Sequence, residues 1–278
     1  MKASVSGYAR AGSLAEALRL LAASGGEARV IAGGQSLTAA MNMGLTGEIG
    51  LIDIGGLDAL RGIRVEGDRL VIGALTTHAA LGADPLVARH APLLAQAVPL
   101  IAHAAIRNRG TIGGSLAHAD PAAELPACAL ALGARIHAEG PDGAREIAAE
   151  AFFLDVFTTA LAADEILTAV SVPLAAVGER HAIRELARRS GDYALAGLAM
   201  VRRGAAHRLA FFGCGATPVL ARAAMAALDA GDAAGAVAAL ADDLDPPSDT
   251  QASSAYRLHL ARVLLTRLAA ETREPADA

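Results

Sequence analysis

The segment IRNRGTIGGSLAHADPAAELPACALALGA occupies positions 106 to 134 and contains the run TIGGS at 111 to 115. A similar run, AGGQSL, occupies positions 32 to 37. Each run combines two adjacent glycines with a hydroxyl residue. Glycine permits positive φ and lets main-chain N–H groups approach a ligand closely, and successive N–H groups in one concavity bind anions. Two such loops that face each other predict a site for a diphosphate.

Neither run identifies a function by itself, because paired glycines after a strand are most often turns. Neither has the G-x-G-x-x-G spacing of a Rossmann NAD site or the G-x-x-x-x-G-K-[ST] spacing of a P-loop. We therefore expect neither a conventional NAD domain nor a P-loop ATPase. Ser36, Thr111 and Ser115 add candidate hydroxyl donors to the backbone amides.

The composition excludes several classes of protein. The chain has 278 residues, is 54% hydrophobic and carries a net charge of -5, which predicts about two compact domains and argues against a nucleic-acid surface. The longest apolar run, PAAELPACALAL at 121 to 132, is short and contains a glutamate, so no transmembrane segment is predicted. The first residues have no signal-peptide hydrophobic region. Cys128 and Cys214 are too few for a disulfide framework, as expected of a cytosolic protein.

Strand and helix signals divide the chain into three predicted units. These units cover residues 1–55, 56–177 and 178–278. Short apolar runs bounded by turn residues predict the strands, which are expected over 30–32, 51–54, 63–65, 70–74, 134–138, 165–172, 194–201 and 209–212.

The predicted helices begin at capping residues or prolines. Ser13 and Glu16 form a capping box for the first helix. Asp84 with Pro85 opens a second helix, which runs to about Ile101 and is broken at its internal prolines. Further helices are expected to end at Gly133, to run from 218 to 228 and to run from 252 to 270. The remaining glycine-rich or polar segments are expected to be a loop, a solvated linker and a frayed tail, over 106–120, 242–249 and 271–278 respectively.

Together with the residues on either side of them, the two glycine runs are specific enough to indicate a protein family. AGGQSLTAAMNMGL at 32 to 45, followed by LIDI at 51 to 54, and the 106 to 134 segment resemble the FAD-binding medium subunit of the molybdenum hydroxylases. This family includes aerobic carbon monoxide dehydrogenase, and xanthine dehydrogenase is related to it. EILTAVSVP at 165 to 173 and ELARRSGDYALAG at 185 to 197 fit the same family, so the resemblance spans nearly the whole chain.

The resemblance implies an α+β fold of three parts that correspond to the three predicted units. Two α/β subdomains, of the PCMH or vanillyl-alcohol-oxidase-like type, would form the FAD-binding half. The C-terminal part would be a domain of the carbon monoxide dehydrogenase flavoprotein type, in which a three-stranded antiparallel sheet packs with helices.

The resemblance also implies which residues bind the cofactor. Glu124, with Asp120 as a second candidate, is expected to hold the adenosine ribose, and Leu167 to make a backbone contact on the adenine side. The pyrophosphate of an extended FAD is expected between the two glycine runs, at Ala32, Gly33, Gly34, Gln35, Ser36, Leu37, Thr111, Ile112, Gly113, Gly114 and Ser115.

Three further residues are implied to belong to the cofactor site. Ile101 is expected to lie against the flavin, and Tyr193 to shield the isoalloxazine. Arg184 stands near the position where xanthine dehydrogenase has a lysine. The usual proline and basic residue after AGGQSL are missing, since Ala39 and Gly44 occupy those positions.

Several of these residues also have structural interpretations. Asp120 with Pro121 has the pattern of a helix cap and first-turn proline, although Pro126 marks the helix start equally well. Tyr193 fits a half-buried strand residue. Arg107 and Arg109 suit a solvated loop or subunit contact as well as a phosphate contact.

The sequence gives little evidence for a metal site or for a catalytic group. His103 and His118 lie near the second run without any metal-ligand spacing, so no metal site is predicted. No nucleophile–base pair is recognisable either, and no catalytic residue is assigned. This absence is typical of an electron-transfer protein, in which the cofactor carries the chemistry.

The implied function is that of the FAD-containing electron-transfer subunit of a heterotrimeric molybdenum hydroxylase. Electrons would pass from 2Fe-2S clusters in a small partner subunit, through FAD, to an external acceptor, while substrate is oxidised at molybdopterin in a large partner subunit. A dimer of heterotrimers is expected, located in the cytoplasm or peripherally at the inner membrane through the complex.

Two alternatives stay open. A self-contained small FAD-dependent oxidase or reductase of the same superfamily would need its own substrate pocket and proton donor. A non-catalytic scaffold that has lost its flavin is favoured slightly by Ala39 and Gly44. The substrate of the complex is left open among carbon monoxide, N-heterocycles, purines, aldehydes and aromatic thioesters, as is the final electron acceptor.

Overall fold

The computed structural model describes residues 5–272, and the first sheet is built from the N-terminal part of these. Three parallel strands lie in the order β1-β3-β2. Two short helices connect them, so that the elements run β1 Val5–Arg10, α1 Leu14–Ala23, β2 Ala28–Ile31, α2 Leu37–Asn42 and β3 Ile49–Asp53. Strand β1 was not among the predicted strands, because it is an edge strand whose side chains are mostly exposed and show no hydrophobic alternation.

The predicted capping box is confirmed at the start of α1. The side chain of Ser13 accepts a hydrogen bond from the backbone N–H of Glu16, at 3.2 Å. The carboxylate of Glu16 accepts in return from the N–H of Gly12, at 2.7 Å, one residue before the cap. Reciprocal bonds of this kind satisfy amides that a helix start leaves free.

The second sheet is antiparallel, with five strands in the order β4-β5-β10-β6-β7. Along the chain, six helices lie between β5 and β6. The elements are β4 Ile63–Glu66, β5 Arg69–Gly73, α3 His78–Ala83, α4 Pro85–His90, α5 Pro92–Ala97, α6 Ala104–Arg107, α7 Ile112–His118, α8 Glu124–Leu132, β6 Arg135–Gly140, β7 Gly143–Ala148, α9 Ala149–Phe152, β8 Phe153–Asp155, β9 Thr158–Thr159 and β10 Ile166–Pro173.

The predicted break at an internal proline is confirmed, since α4 ends at His90 and α5 begins at Pro92. Helix α8 is buried from Leu125 to Leu132, which explains the apolar composition of that run. Gly133 ends it in the left-handed conformation at φ 64°, as predicted. A helix that is apolar all round belongs inside a protein, and α8 lies between the second sheet and the third.

The third sheet is antiparallel, in the order β11-β12-β13-β14. Its three long strands confirm the expected three-stranded sheet, and the two-residue β14 extends one edge. The elements are β11 Arg180–Leu186, β12 Ala196–Arg203, β13 Ala206–Phe212, β14 Val219–Leu220, α10 Arg222–Asp229, α11 Ala233–Asp243 and α12 Ser254–Glu271.

Two C-terminal predictions are wrong in detail. Residues after Pro218 pair with β13 before the helix begins at Arg222, because the free edge of β13 offers them backbone partners. The linker predicted over 242–249 starts too early, since Asp243 ends α11 and its carboxylate accepts from the amides of Ala223 and Ala224. Of the predicted tail, residues 273–278 lie outside the described part of the chain.

The two faces of the third sheet pack against different halves of the molecule. One face, with Ile183 and Phe212, joins the core formed by α5, α8 and the second sheet. The opposite face, with Ala182 and Phe211, is covered by α10, α11 and α12. Since side chains alternate along a strand, a shift of one residue in β11 moves a side chain from one interface to the other.

Between residues 5 and 272, no helix is both long and apolar enough to cross a membrane. Within the same range no cluster of histidine, cysteine and carboxylate side chains could hold a metal ion. Cys128 and Cys214 are both buried and unpaired.

Candidate functional site

The first glycine run forms an open turn between β2 and α2. Gly34 has φ 72°, in the left-handed region that favours glycine. Among the described residues, the amides of four consecutive residues donate no hydrogen bond, namely those of Gly33, Gly34, Gln35 and Ser36. A run of unpaired amides at such a turn is suited to hold an anion. This geometry agrees with the loop that the sequence analysis predicted here.

The first run touches the loop before the second run. A Cβ added to Gly33 would overlap the carbonyl oxygen of Arg109, so this backbone contact requires glycine. The side chain of Gln35 folds back and donates from Nε2 to the carbonyl oxygen of Gly33, at 3.0 Å. The two runs that are far apart in sequence are therefore neighbours in the fold.

The second run is not a loop, and the prediction of a glycine-rich loop over 106–120 is wrong. Thr111 caps α7, with its hydroxyl accepting from the amide of Gly114 at 3.1 Å. The other amides at the start of α7 are also used inside the protein, since Ile112 donates to Thr76, Gly113 donates to Ala74 and Ser115 donates to Thr111. The expected second nest of free amides is therefore absent from residues 112–115.

The glycines of the second run serve packing. A Cβ on Gly113 would lie 2.6 Å from the Cβ and 2.8 Å from the carbonyl oxygen of Ala74. Ala74 also donates from its amide to the carbonyl of Thr168, at 2.9 Å. This link brings the buried Leu167 of β10 close to the start of α7. Ser115 is half-buried, and its hydroxyl makes no hydrogen bond among the described residues.

The two candidate carboxylates lie in different local settings. Asp120 accepts from the amide of Ala122, at 2.9 Å, in a turn that precedes α8. The helix itself starts at Glu124 with Pro126 in its first turn, so the interpretation of Asp120 as the helix cap is wrong and the alternative start is confirmed. Burial, with a further contribution from the charge of Asp120, raises the pKa of Glu124 to about 7.

The turn after Ile101 and the loop that carries Tyr193 touch each other. Arg107 donates to the carbonyl oxygens of Ile101 and Ala102, at 2.8 and 2.9 Å, which gives it a structural role. A Cβ on Gly191 would lie 3.1 Å from the carbonyl oxygen of Ala102, so the loop that carries Tyr193 rests on this turn. Tyr193 as a whole residue is 68% exposed. Partial desolvation, followed by the charges of Asp120 and Glu124, raises the pKa of its hydroxyl.

The structure does not bring Arg184 to the other candidates. It lies opposite Leu198 on the helix-covered face of the third sheet, and its guanidinium pairs with Glu271 of α12, at 3.1 Å. The next residue, Glu185, lies opposite Gly197, on the face that packs against α5, α8 and the second sheet. The alternation of β11 around Ile183 was the signal that could have shifted the assignment by one residue.

Two titratable residues near the site were missed, namely the half-buried Glu185 and the buried His78. Burial, with a contribution from Glu124, raises the pKa of Glu185 to about 8. His78 is buried against Gly110, where an added Cβ would lie 3.0 Å from its ring, and burial lowers its pKa to about 4. No local pattern marks either residue, because both depend on contacts with distant parts of the chain.

Models of two protein families match almost the whole chain. The FAD binding domain in molybdopterin dehydrogenase matches residues 3–175. The CO dehydrogenase flavoprotein C-terminal domain matches residues 181–272.

Individual proteins agree with these models. The chain is 37% identical over 275 residues to the 6-hydroxypseudooxynicotine dehydrogenase complex subunit alpha of Paenarthrobacter nicotinovorans, covering 95% of this chain and 93% of that protein. It is 37% identical to the carbon monoxide dehydrogenase medium chain of Afipia carboxidovorans, covering 94% of each. The structure of carbon monoxide dehydrogenase from Hydrogenophaga pseudoflava superimposes with a TM-score of 0.92 at 36% identity, covering 96% of both chains.

Proposed function

Since the chain belongs to the family of FAD-binding medium subunits of molybdopterin dehydrogenases, we propose that it carries electrons from the iron–sulfur clusters of a partner subunit to an external acceptor. Bound FAD would supply the redox chemistry by accepting electrons and passing them on. The residues of this chain would bind the cofactor, orient it and limit the access of water to it.

The observation that carries this proposal is the open turn at residues 33–36. Its four unpaired amides and the left-handed Gly34 suit a phosphate, and no lysine or metal ion is needed in that arrangement. The close approach of Gly33 to Arg109 supports a groove between the first sheet and α7. A buried carboxyl oxygen of Glu185, which has no partner among the described residues, supports a cofactor group beside it.

We propose different contributions from the two glycine runs. The turn Ala32–Leu37 would hold the pyrophosphate through its amides. At the start of α7, residues 111–115 would form the opposite wall, and Ser115 would supply a hydroxyl in place of the free amides expected there. Leu167 would lie at the adenine end of this wall.

The flavin end would lie beside the turn at Ile101 and the loop of Tyr193. The exposed ring of Tyr193 would cover the isoalloxazine and limit solvent access, and Glu124 would accept hydroxyl groups of the cofactor's sugar. Asp120 would stabilise the local turn by accepting from the amide of Ala122, and its charge would help to raise the pKa of Glu124. Arg184 is not retained as a cofactor ligand, because its guanidinium is paired with Glu271 on the other face of the sheet.

The assembly and its location are part of the same proposal. A large subunit with molybdopterin and a small subunit with 2Fe-2S clusters would complete a heterotrimer in the cytoplasm, and substrate choice would belong to the large subunit. The three units at residues 1–55, 56–177 and 178–278 would be two FAD-binding subdomains and the C-terminal domain.

The test is to purify the full chain, alone and co-expressed with its partner subunits. We expect oxidised-flavin absorption bands and co-purification of both partners. We also expect acid to release intact FAD, because no histidine or cysteine of the described residues lies at an obvious attachment site. A preparation that stays colourless with added FAD would contradict the proposal. Turnover of a small substrate by the isolated chain would instead favour a self-contained flavoenzyme.

A further inference from the structure

The Tyr193 loop, residues 187–195, joins β11 to β12. Its base is closed by a hydrogen bond of 2.8 Å from the amide of Leu195 to the carbonyl of the last residue of β11. Farther out, the loop rests on the FAD-binding half, because a Cβ added to Gly191 would lie 3.1 Å from the carbonyl oxygen of Ala102. Tyr193 therefore lies on the short stretch between this contact and the start of β12.

A buried arginine of α12 holds the base of this loop. Arg257 lies in the first turn of the helix and is 5% exposed. Its Nη1 donates to the carbonyl oxygens of Leu195, at 2.6 Å, and of Gly213, at 3.3 Å. Its Nη2 donates to the carboxylate of Asp249 at 2.8 Å, which balances the charge. Since a guanidinium presents its donors in a fixed fork, this one side chain fixes the start of β12 relative to the end of β13.

The second carbonyl that Arg257 holds leads to the other candidate residues. Gly213 has φ 70°, and an added Cβ would lie 2.8 Å from the carbonyl oxygen of Ala194. The amide of Gly213 donates to the carbonyl of Pro121 at 2.8 Å, in the turn that begins at Asp120. Arg257 therefore links the Tyr193 loop to the turn before α8.

The packing of α12 does not by itself account for this arginine. Leu260, Leu264 and Leu268 already supply apolar contacts with the third sheet. A buried guanidinium is costly unless its donors are satisfied, and Nε of Arg257 is buried without a hydrogen-bond partner among the described residues. A side chain that served packing alone would carry no such cost.

A second link joins the same two segments. Nη1 of Arg188, within the Tyr193 loop, donates to Oε1 of Gln251 at 2.8 Å. The amide of Gln251 donates in turn to the carboxylate of Asp249, at 2.8 Å. The turn before α12 and the Tyr193 loop are thus joined through side chains at both ends of the loop.

We propose that Arg257 is a positioning residue for the flavin site, because it fixes the base of the Tyr193 loop and so keeps the ring of Tyr193 over the isoalloxazine. This inference rests on the proposed function for the place of the flavin, whereas the hold on the loop belongs to the chain without FAD. Without the guanidinium, the loop keeps its contact with Ala102 but loses the anchor next to Tyr193. The ring then moves off the flavin, and water reaches it.

The experiment measures FAD affinity and the quenching of flavin fluorescence by iodide in the full chain co-purified with its partner subunits. Loss of one stacked aromatic ring corresponds to about fivefold weaker binding. We expect this loss, together with stronger iodide quenching, in both Tyr193→Leu and Arg257→Met. Methionine keeps the apolar stem and removes every donor, and such a replacement of a buried charge often leaves stability unchanged.

The double variant decides whether Arg257 acts through Tyr193. Combining Arg257→Met with Tyr193→Leu should weaken binding no further than Tyr193→Leu alone. A combined loss of about 25-fold, the product of two independent effects, would overturn the proposal. Arg257→Lys keeps the charge and a single donor nitrogen, so it should show a smaller effect of the same kind, and it replaces Arg257→Met if that variant does not fold. Quenching at the wild-type level in either variant also overturns the proposal.

Arg202→Gln is the matched control. Arg202 likewise donates from β12 to α12, with Nη1 2.6 Å from the carbonyl oxygen of Thr272, but it stands opposite Arg180 at the end of the sheet away from the Tyr193 loop. Its FAD affinity and iodide quenching should equal those of the wild type. Equal losses in Arg202→Gln and Arg257→Met would show that any break between α12 and the sheet has this effect, and would contradict a specific role for Arg257.

Hydrogen exchange on the FAD-free chain separates this inference from the proposed function. We expect the amides of residues 187–195 to exchange faster in Arg257→Met and at the wild-type rate in Arg202→Gln. If exchange changes in this way but no form binds FAD, the proposed function fails and the hold on the loop stands. If FAD binds but the loop exchanges equally in all forms, the role of Arg257 is disproved while the function stands.

Discussion

The two glycine runs share a sequence signal but differ in physical role. At residues 33–36 the backbone turns through a left-handed Gly34 and leaves four amides without partners among the described residues. At residues 112–115 the backbone is already helical, and each amide is bonded to Thr76, Ala74 or Thr111. Paired glycines therefore mark positions where the backbone must approach another group closely. That group can be a ligand or another segment of the chain.

The difference predicts that the same kind of substitution has different consequences in the two runs. A side chain in the helical run should disturb folding, whereas one in the open turn should disturb ligand binding.

Replacing Gly113 with alanine should destabilise the fold most. The new Cβ would lie 2.8 Å from the carbonyl oxygen of Ala74, and backbone on both sides leaves little room to relax. We expect a loss of about 3 to 4 kcal/mol in the free energy of unfolding, measured by chemical denaturation. Gly7→Ala is the matched control, because nothing lies within 4 Å of its added Cβ. Equal stability of the two variants would show that α7 is not held by this contact.

Replacing Gly33 with alanine should mainly affect FAD. The new Cβ would overlap the carbonyl of Arg109, and the turn must move away together with its amides. Loss of one or two hydrogen bonds to a charged phosphate corresponds to about 100-fold weaker binding, measured by flavin fluorescence titration. The proposed division fails if Gly33→Ala loses as much stability as Gly113→Ala while keeping its affinity for FAD.

A fall in pH should destabilise the fold through His78, which packs beside the second glycine run. His78 lies against Gly110, and burial lowers its pKa to about 4. In the unfolded chain the pKa of a histidine is about 6.5, so the contribution of His78 to stability is fully present only above that pH. This stability is lost as pH falls from 6.5 towards 4. The contribution of His78 should fall by about 2 kcal/mol between pH 7 and pH 5.

The measurement is the free energy of unfolding at these two pH values. His78→Gln should show a flatter dependence than the wild type, whereas replacement of the exposed His103 by glutamine should leave the wild-type slope. Parallel slopes for wild type and His78→Gln would show that other groups cause the acid sensitivity.

The smallest expected effects distinguish the hydroxyl residues of the two runs. Thr111 caps α7 by accepting from Gly114, so Thr111→Ala should cost about 1 kcal/mol of stability. The side chain of Ser36 makes no capping bond to α2. Ser36→Ala should therefore leave the denaturation midpoint unchanged and weaken FAD binding about fivefold, by loss of one donor. A destabilised Ser36→Ala with normal FAD affinity would reverse the assignment.

Local patterns predicted the elements whose ends are fixed by nearby residues. The capping box at Ser13, the proline break at Pro92 and the glycine stop at Gly133 each depend on contacts within a few positions. Strand β1 and the start of α7 were missed because their partners are far away in the chain. Val5–Arg10 pairs with β3, and the amides of α7 bond to residues 74 and 76.

The same limit applies to the candidate site. The two glycine runs were predicted from motifs, and Glu124, Ile101 and Tyr193 were predicted from the family resemblance; all of them stay predictions. Glu185 and His78 carry no such signal, because their settings are defined by what packs against them. Arg184 illustrates the limit, because a shift of one position along β11 leads from a side chain paired with Glu271 to a half-buried carboxyl on the opposite face of the sheet.

The family, the cofactor class and most helices and strands could be predicted from the sequence, because glycine pairs, caps and apolar periodicity act over a few residues. Which glycine run keeps its amides free, and which charged residue of β11 meets the FAD-binding half, became known from the folded chain. The physical reason is that hydrogen-bond partners and burial are set by the assembled sheets. A backbone amide is available to a ligand only when no other part of the chain accepts its hydrogen bond.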